Sequence, residues 1–583
     1  MHRRLWSVIL LALVLALFLT FLVWPVATVV RIGLFGIPSS DPSLPGQGFT
    51  LAYVQHVFLD PVLRQGLINS VLIAVAVTVL TLVISIPLAI LSVHYDFRGK
   101  SILSGLLLVP LILPPFVGAI GMRQILGRMG ALTGIAQDIG FVARGDSVDW
   151  MGMGRIFGII IVEALALYPI VFLNVSAALA NLDPAMGQAA ANLGASRWNI
   201  FRRITLPLMR PGIFAGGTIV LIWSFTELGT PLMFDFNRVT SVQIFQRLAQ
   251  VSGSPLPYAM VIVMLVASAG LYLIGKILLG KSNVAGVTKA SVRATARQLK
   301  GGKALLAAGA FSVVIILALL PHFGVILTSF SGVGSWYESA LPRVFTAEHY
   351  LNGLSHELTI PAIRNSITFA SLATCIDVVL GLLIAWLIVR SPLPGKWAID
   401  ALSMLPLAIP GLVLAFGYLA ISLQLQVQFK NYAAIRDLID FNHNPTLLLV
   451  IAYAMRRLPY VVRSAVAGLE QTPPDLEMAA RNLGASPFYT ARRIMIPLIA
   501  ANLVAGALLA FAFAMLEVSD SLILAQKQAY FPITKAIYEL FQRLGDGPYV
   551  ASALGVWAMV LLTLTILLAN ILLGKRMGAI FRV

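Results

Sequence analysis

The sequence predicts an all-α membrane protein of about twelve transmembrane helices in two parallel six-helix repeats. Three observations predict it. Of 583 residues, 59% are apolar and only 11% charged, against roughly 25% charged in a typical soluble domain. Apolar runs of about 20 residues recur along the chain, the length a helix needs to cross ~30 Å of hydrocarbon. Several short motifs also occur twice, in the same order and at nearly constant separation. A soluble protein of this size would have too few charges to cover its surface. A soluble enzyme, a disordered chain and a coiled coil are therefore excluded.

In chain order, spans are expected over about 5–30, 66–93, 102–122, 154–180, 212–233, 257–279, 304–330, 364–389, 398–422, 446–469, 502–525 and 549–573. The apolar run of the first is too long for a signal peptide, and no small-residue cleavage site follows before Arg31. It is expected to be retained. Orientation follows from Lys and Arg. With the N-terminus inside, the inner segments hold 23 Lys and Arg against six carboxylates, which accounts for the whole net charge of +17. Both termini are then cytoplasmic. The basic balance is a consequence of topology and calls for no nucleic-acid partner. Residues 280–303 are polar and basic and read as a cytoplasmic linker between a first half, 1–279, and a second, 304–583.

The duplication rests on particular residues. "LINS" at 67–70 returns as "IRNS" at 363–366, and "VPLILPP" at 109–115 as "LPLAIPG" at 405–411, both with an offset of 296. "FQRL" at 245–248 returns at 541–544, also offset 296. "NLGASRWNIFRRITLPL" at 192–208 returns as "NLGASPFYTARRIMIPL" at 482–498, and Glu227 as Glu517, offset 290. Six spans return the chain to its starting side, so both halves share one orientation and can be related by a twofold along the membrane normal.

The loop between the fourth and fifth span of each half carries the most specific signal. The first copy reads Gln188-Ala189-Ala190, three residues, Gly194, nine residues, Ile204, one residue, Leu206-Pro207. The second reads Met478-Ala479-Ala480, three residues, Gly484, nine residues, Ile494, one residue, Ile496-Pro497. Asp183-Pro184 and Pro473-Pro474-Asp475 precede them as helix-start signals, and each glycine can end its helix in a left-handed conformation. This spacing resembles the EAA loop of bacterial ATP-binding cassette importer permeases. The resemblance covers essentially the whole chain. It implies the type I importer permease fold, a bacterial inner-membrane location and loops that dock on ATPase subunits. The implied partners are two copies of a cytoplasmic ATP-binding subunit, a periplasmic substrate-binding protein and the lipid bilayer. ATP and Mg would reside on the partner subunits, with no cofactor held by this chain. The sequence departs from the family pattern where a glutamate is usual: Gln188 and Met478 stand there, with Glu477 one place earlier.

Gly275, Gly280, Lys281 and Ser282 match the phosphate-loop pattern literally. That loop must follow a strand and open a helix, whereas this one ends a transmembrane segment. The match reads as chance, and the chain is expected to hydrolyse nothing.

Charges inside spans are expensive, ~2.5–3.5 kcal/mol at mid-span. Glu227 and Glu517 stand at equivalent places, Asp520 lies one turn beyond, and Arg456 and Arg457 interrupt the tenth span. Either the glutamates face one another across the pathway and pass a cation or metal, or they pair with the arginines or backbone amides and hold the bundle together. Buried charges are usually paired, which favours the second reading. Gly229 and Pro231 give Glu227 a helix-breaking context that Glu517 lacks. "ELGTP" after a phenylalanine, with the fused layout, resembles the ferric iron permeases. Relatives of that family carry phosphonates, sugar phosphates, thiamine or polyamines. The proline-rich bends of the third and ninth spans read either as pathway lining or as packing kinks. A twelve-span secondary transporter would explain the duplication but not the paired loops. A membrane enzyme finds no support in seven scattered histidines and the single Cys375.

Overall fold

A computed structural model describes residues 2–36, 48–112, 115–152, 155–180, 182–279, 296–429, 431–432, 437 and 440–573. Among these, ten helices are long and apolar enough to cross a bilayer: Ser7–Phe35, Pro61–His94, Ile156–Ala180, Arg197–Thr226, Leu256–Ile277, Gly302–Phe330, Thr359–Arg390, Gly411–Gln428, Pro487–Met515 and Gly547–Thr565. The pair Lys100–Leu111 and Pro115–Asp138, bent by 95°, makes an eleventh when taken as one broken span. The expected tenth span is present as the helix Thr446–Glu470. Arg456, Arg457 and Arg463 interrupt its apolar run, so apolarity alone does not mark it as a span.

Two spans break where their prolines predict, and two begin earlier than expected. The third and ninth are broken at their prolines: Lys100–Leu106 gives way to a 3₁₀ turn Val109–Ile112 before Pro115–Leu126, and Lys396–Ala408 stops before Gly411–Gln428. The fifth and eleventh begin well before 212 and 502, because the loop motif runs straight into the helix. In each copy a five-residue π segment, Phe201–Thr205 or Ala491–Met495, leads into the α-helix that carries Pro207 or Pro497 in its first turn. Proline clashes with the carbonyl four residues back in an α-turn. The wider π turn relieves that clash, so a residue that reads as a helix stop is carried through.

The two halves exchange their first helices. A Cβ on Gly121 would come within 2.3 Å of the Pro321 carbonyl oxygen, and one on Gly417 within 2.6 Å of Pro25 Cβ. Both glycines and both prolines are 296 apart. The first span of each half thus lies backbone-to-backbone against the third-span element of the other, an arrangement that a twofold axis generates. The Tyr418 hydroxyl donates to the Phe21 carbonyl at 2.6 Å across the same contact. Small residues permit this approach, and packing in lipid relies on it because no hydrophobic force drives helices together there.

Residues 280–295 of the expected linker lie outside the described residues. Just after them, Arg297–Gln298 pairs in parallel with Tyr95–Asp96 at the end of the second span, and Gln298 Nε2 donates to Asp96 Oδ2 at 2.5 Å. Of the phosphate-loop match, Gly275 lies inside the helix Leu256–Leu279, and Gly280, Lys281 and Ser282 fall outside the described residues.

Candidate translocation site and motif loops

The motif loops are built alike from local signals. Asp183 caps the helix Pro184–Asn192 by accepting from the Ala185 amide at 2.9 Å. Gly194 then turns left-handed at φ +82°, and Gly484 does the same at +86° after the helix Asp475–Asn482. The Ala195 amide reaches back to Ala190, and Ala485 to Ala480, each at 3.0 Å, so freed carbonyls at each helix end are satisfied. Ser196 and Ser486 cap the next helix in the same way. Leu193 and Leu483 project almost fully into the open, at 88% and 89% exposure. Gln188 and Ala189 face outward with Met186, as do Met478 and Ala479 with Leu476. Ile204 and Ile494 are half-buried.

The copies differ at a buried carboxylate. Glu477 is turned inward and accepts from Arg390 Nε at 2.8 Å, while the same guanidinium donates to the Leu469 and Thr472 carbonyls. It is therefore committed to its own bundle and not offered on the loop surface. At the offsets of the duplication, the first half has Gly187 and His94 in these places.

The repeated asparagine–serine pair positions a re-entrant segment in each half. Asn69 Nδ2 donates to the Arg238 carbonyl at 2.8 Å, and Asn365 Nδ2 to those of Ala529 at 2.9 Å and Phe531 at 3.2 Å. Ser70 Oγ accepts from the Thr240 amide at 3.0 Å, and Ser366 Oγ from Ile533 at 2.7 Å. Hydroxyls on the same segments, Ser241 and Thr534, then donate to the carbonyls of Glu227 and Glu517 at 2.6 and 2.7 Å. The serine and hydroxyl pairs superimpose the segments at an offset of 293, which the Asn365 bond to Phe531 shares. The "FQRL" repeat at offset 296 is therefore three residues out of structural register here.

These bonds decide where the spans open. The fifth breaks after Thr226 and resumes at Gly229–Met233; the eleventh breaks after Met515 and resumes at Ser519–Leu524. Glu517 thus lies at a break as Glu227 does, although no glycine or proline marks it. Hydroxyl donors from the segment above satisfy the carbonyl that the break releases.

Both glutamates line one cavity of about 80 Å³, which also takes in Pro110 and Pro115 of the third-span bend. Equivalent residues face it from the two halves: Trp223 and Phe513, Glu227 and Glu517, Ala166 and Arg456, Leu167 and Arg457. The cavity therefore straddles the pseudo-twofold axis, and the bend is part of its wall. Its charges are not symmetric. Glu517 is held by Arg456 at 2.6 Å and by Arg457, and Arg456 also reaches Asp520 at 3.5 Å. Glu227 has no arginine on its own half and instead accepts from the Gly229 and Thr230 amides at 3.2 and 3.4 Å. The guanidinium of Arg456 lies over Gly411 at the break of the ninth span, where a Cβ would meet Nη1 at 1.7 Å.

Two further carboxylates belong to the spans and went unread in the sequence. Glu163, almost wholly buried, accepts from the Ser224 hydroxyl. Asp377 is fully buried, lies near enough to Arg457 to feel its charge, and finds no hydrogen-bond donor among the described residues. Each is a lone acid in an apolar run, the same signal that marked Glu227. Among the described residues no three His, Cys, Asp or Glu side chains gather so as to hold a metal ion.

Fold and site together describe a membrane transport subunit with a pathway between two fused halves. The sequence profile of binding-protein-dependent transport system inner membrane components matches residues 81–282 and again 377–577, and the chain belongs to that family of ATP-binding cassette importer permeases. The putative ferric transport system permease protein FbpB 1 of Haemophilus influenzae is 27% identical over 491 residues, 81% of this chain and 72% of that one. The ferric transport system permease protein FbpB of Actinobacillus pleuropneumoniae is 26% identical over 542 residues, 91% and 74%. The molybdenum transport system permease protein ModB of Escherichia coli is 32% identical over 177 residues, 29% of this chain and 72% of that one. A solved bacterial ABC transporter that imports the acidic polysaccharide alginate aligns with a TM-score of 0.38 and 18% identity, over 48% of this chain and 96% of that one.

Proposed function

We propose that this chain forms the translocation pathway for ferric iron in an ATP-driven importer of the bacterial inner membrane. The observation that carries the substrate is the similarity to two ferric permeases across 81% and 91% of the chain. In this reading 1–279 and 304–583 are the two halves, joined by 280–303, and the termini and motif loops are cytoplasmic. One ATP-binding subunit docks on each loop. The exposed Leu193 and Leu483 and the left-handed turns at Gly194 and Gly484 support a rigid apolar contact that transmits motion. A periplasmic binding protein delivers the ion at the opposite face.

Within the pathway Glu227 is the carboxylate whose partners are weakest, two amide hydrogen bonds against two guanidinium groups on Glu517. Hard trivalent ions prefer oxygen ligands, so Glu227 is the group assigned to meet the passing ion. Glu517, Asp520, Arg456 and Arg457 serve as a charge-balanced wall. A second reading, import of an oxyanion, draws on the two arginines at the cavity and on the partial match to molybdenum permeases.

Reconstitution with the ATPase subunits and the binding protein tests the choice. ATP-dependent accumulation of radioactive ferric iron, with none of molybdate or phosphonate, is expected. Accumulation of an oxyanion alone would replace iron by the second reading.

A further inference from the structure

The offset of 293 that the Asn, Ser and hydroxyl contacts define makes Phe245 the counterpart of Tyr538, and Val242 that of Lys535. Phe245 and Tyr538 touch each other edge to face, with ring centroids 5.9 Å apart and planes at 85°. A residue that meets its own counterpart lies on the axis that relates them. The contact is made by the short helices Thr240–Gln246 and Ile533–Phe541, which follow the breaks at Glu227 and Glu517 and lie on the side away from the motif loops. It therefore stands on the same axis as the cavity and outside it.

Lys535 is buried at this crossing. Its ammonium lies 5.4 Å from the Phe531 ring, 5.6 Å from Tyr538 and 5.8 Å from Phe245 of the other half, with Glu539 at 2.9 Å. The carboxylate offsets the ammonium, and the aromatic faces of both halves hold the lysine end of the pair between the rings. The other half supplies Val242 at the place of Lys535, so the ion pair with Glu539 comes from one half alone.

We propose that Phe245 and Tyr538 form the seal that closes the pathway on the face opposite the motif loops, and that the Lys535–Glu539 ion pair beside them braces the two rings against each other. This rests on the importer reading above. The test needs neither substrate nor ATP hydrolysis, so its failure is distinct from a failed uptake assay.

Ser519 lines the cavity beneath the seal. Ser519→Cys in a Cys375→Ser background gives one reporter thiol in the full importer in spheroplasts. Trimethylammonium-ethyl and sulfonato-ethyl methanethiosulfonate, both membrane-impermeant, are applied outside. With the seal intact both should react slowly. Phe245→Ala with Tyr538→Ala should speed both by about tenfold, because packed rings exclude reagents of that size. F245A alone carries the same test with one ring removed. Lys535→Gln, which removes the ammonium from between the rings, should speed both reagents by about threefold, a smaller effect than loss of a ring, and Lys535→Arg should stay near the parent rates. Equal labelling of parent and ring variants overturns the seal, and parent rates in K535Q overturn the bracing role of the ion pair. Acceleration seen only in inverted vesicles keeps the seal and reverses the orientation.

Discussion

Arg390, at the end of the span Thr359–Arg390, holds Glu477 of the second motif helix at 2.8 Å, with both side chains at least nine-tenths buried. The first half has His94 and Gly187 in the corresponding places. One loop is thus tied to its bundle by a buried ion pair that the other lacks.

Removing one member of that pair leaves a buried charge without its partner, which costs roughly 3–5 kcal/mol. Glu477→Ala should lower the melting temperature of the detergent-solubilised protein and weaken retention of the ATPase subunit. Gly187→Glu with His94→Arg should raise the melting temperature, since a side chain at 187 has ordinary room beside Ile200. An unchanged melting temperature in Glu477→Ala would show that the tie contributes nothing.

The two cavity glutamates should separate cleanly. Glu517→Gln strands the guanidinium of Arg457 and leaves Arg456 only Asp520 at 3.5 Å, so both stability and uptake should fall, the first by about 3–5 kcal/mol. Glu227→Gln keeps an oxygen for the Gly229 and Thr230 amides. It should cost about 1 kcal/mol or less while uptake drops sharply. Melting temperature measured beside iron uptake decides; wild-type uptake in Glu227→Gln removes it from the pathway.

Gly194 and Gly484 have no atom within 4 Å of where a Cβ would stand. Any effect of substitution there is backbone strain and not collision. Gly194→Val and Gly484→Val should each cost about 1–2 kcal/mol at the helix end and raise the ATP hydrolysed per ion imported. Asn, which tolerates the left-handed region, should be milder. Equal stoichiometry across the Val, Asn and parent proteins would refute a coupling role for the turns.

Gly411→Ala is a remote route to the cavity. Its methyl would occupy the place of the Arg456 guanidinium, so Arg456 must leave Glu517. Uptake should fall toward that of Arg456→Ala, and the two changes combined should be no worse than either alone. Additive losses in that double-mutant cycle would contradict the link.

Composition and periodicity determined that the chain is a helical membrane protein. Two recurring offsets determined that it is a duplication, and loop spacing determined its family. These features are local or repeat along the chain, so they are legible without contacts. The left-handed glycines and the capping Asp183 were legible for the same reason. Gly229 and Pro231 marked the opening of the fifth span, but tertiary structure alone decided that the eleventh opens as well, because the Thr534 hydroxyl that donates to the freed Glu517 carbonyl is 17 residues further along the chain. It also decided that Glu517 is paired and Glu227 is not. Both glutamates occupy the same place in the repeat, and only the neighbouring span, with Arg456 and Arg457 against Ala166 and Leu167, tells them apart. The axial meeting of Phe245 with Tyr538 was hidden by a sequence repeat three residues out of register. Hydrogen bonds to the Asn and Ser of a different span, not similarity along the segment, set which residues face each other there.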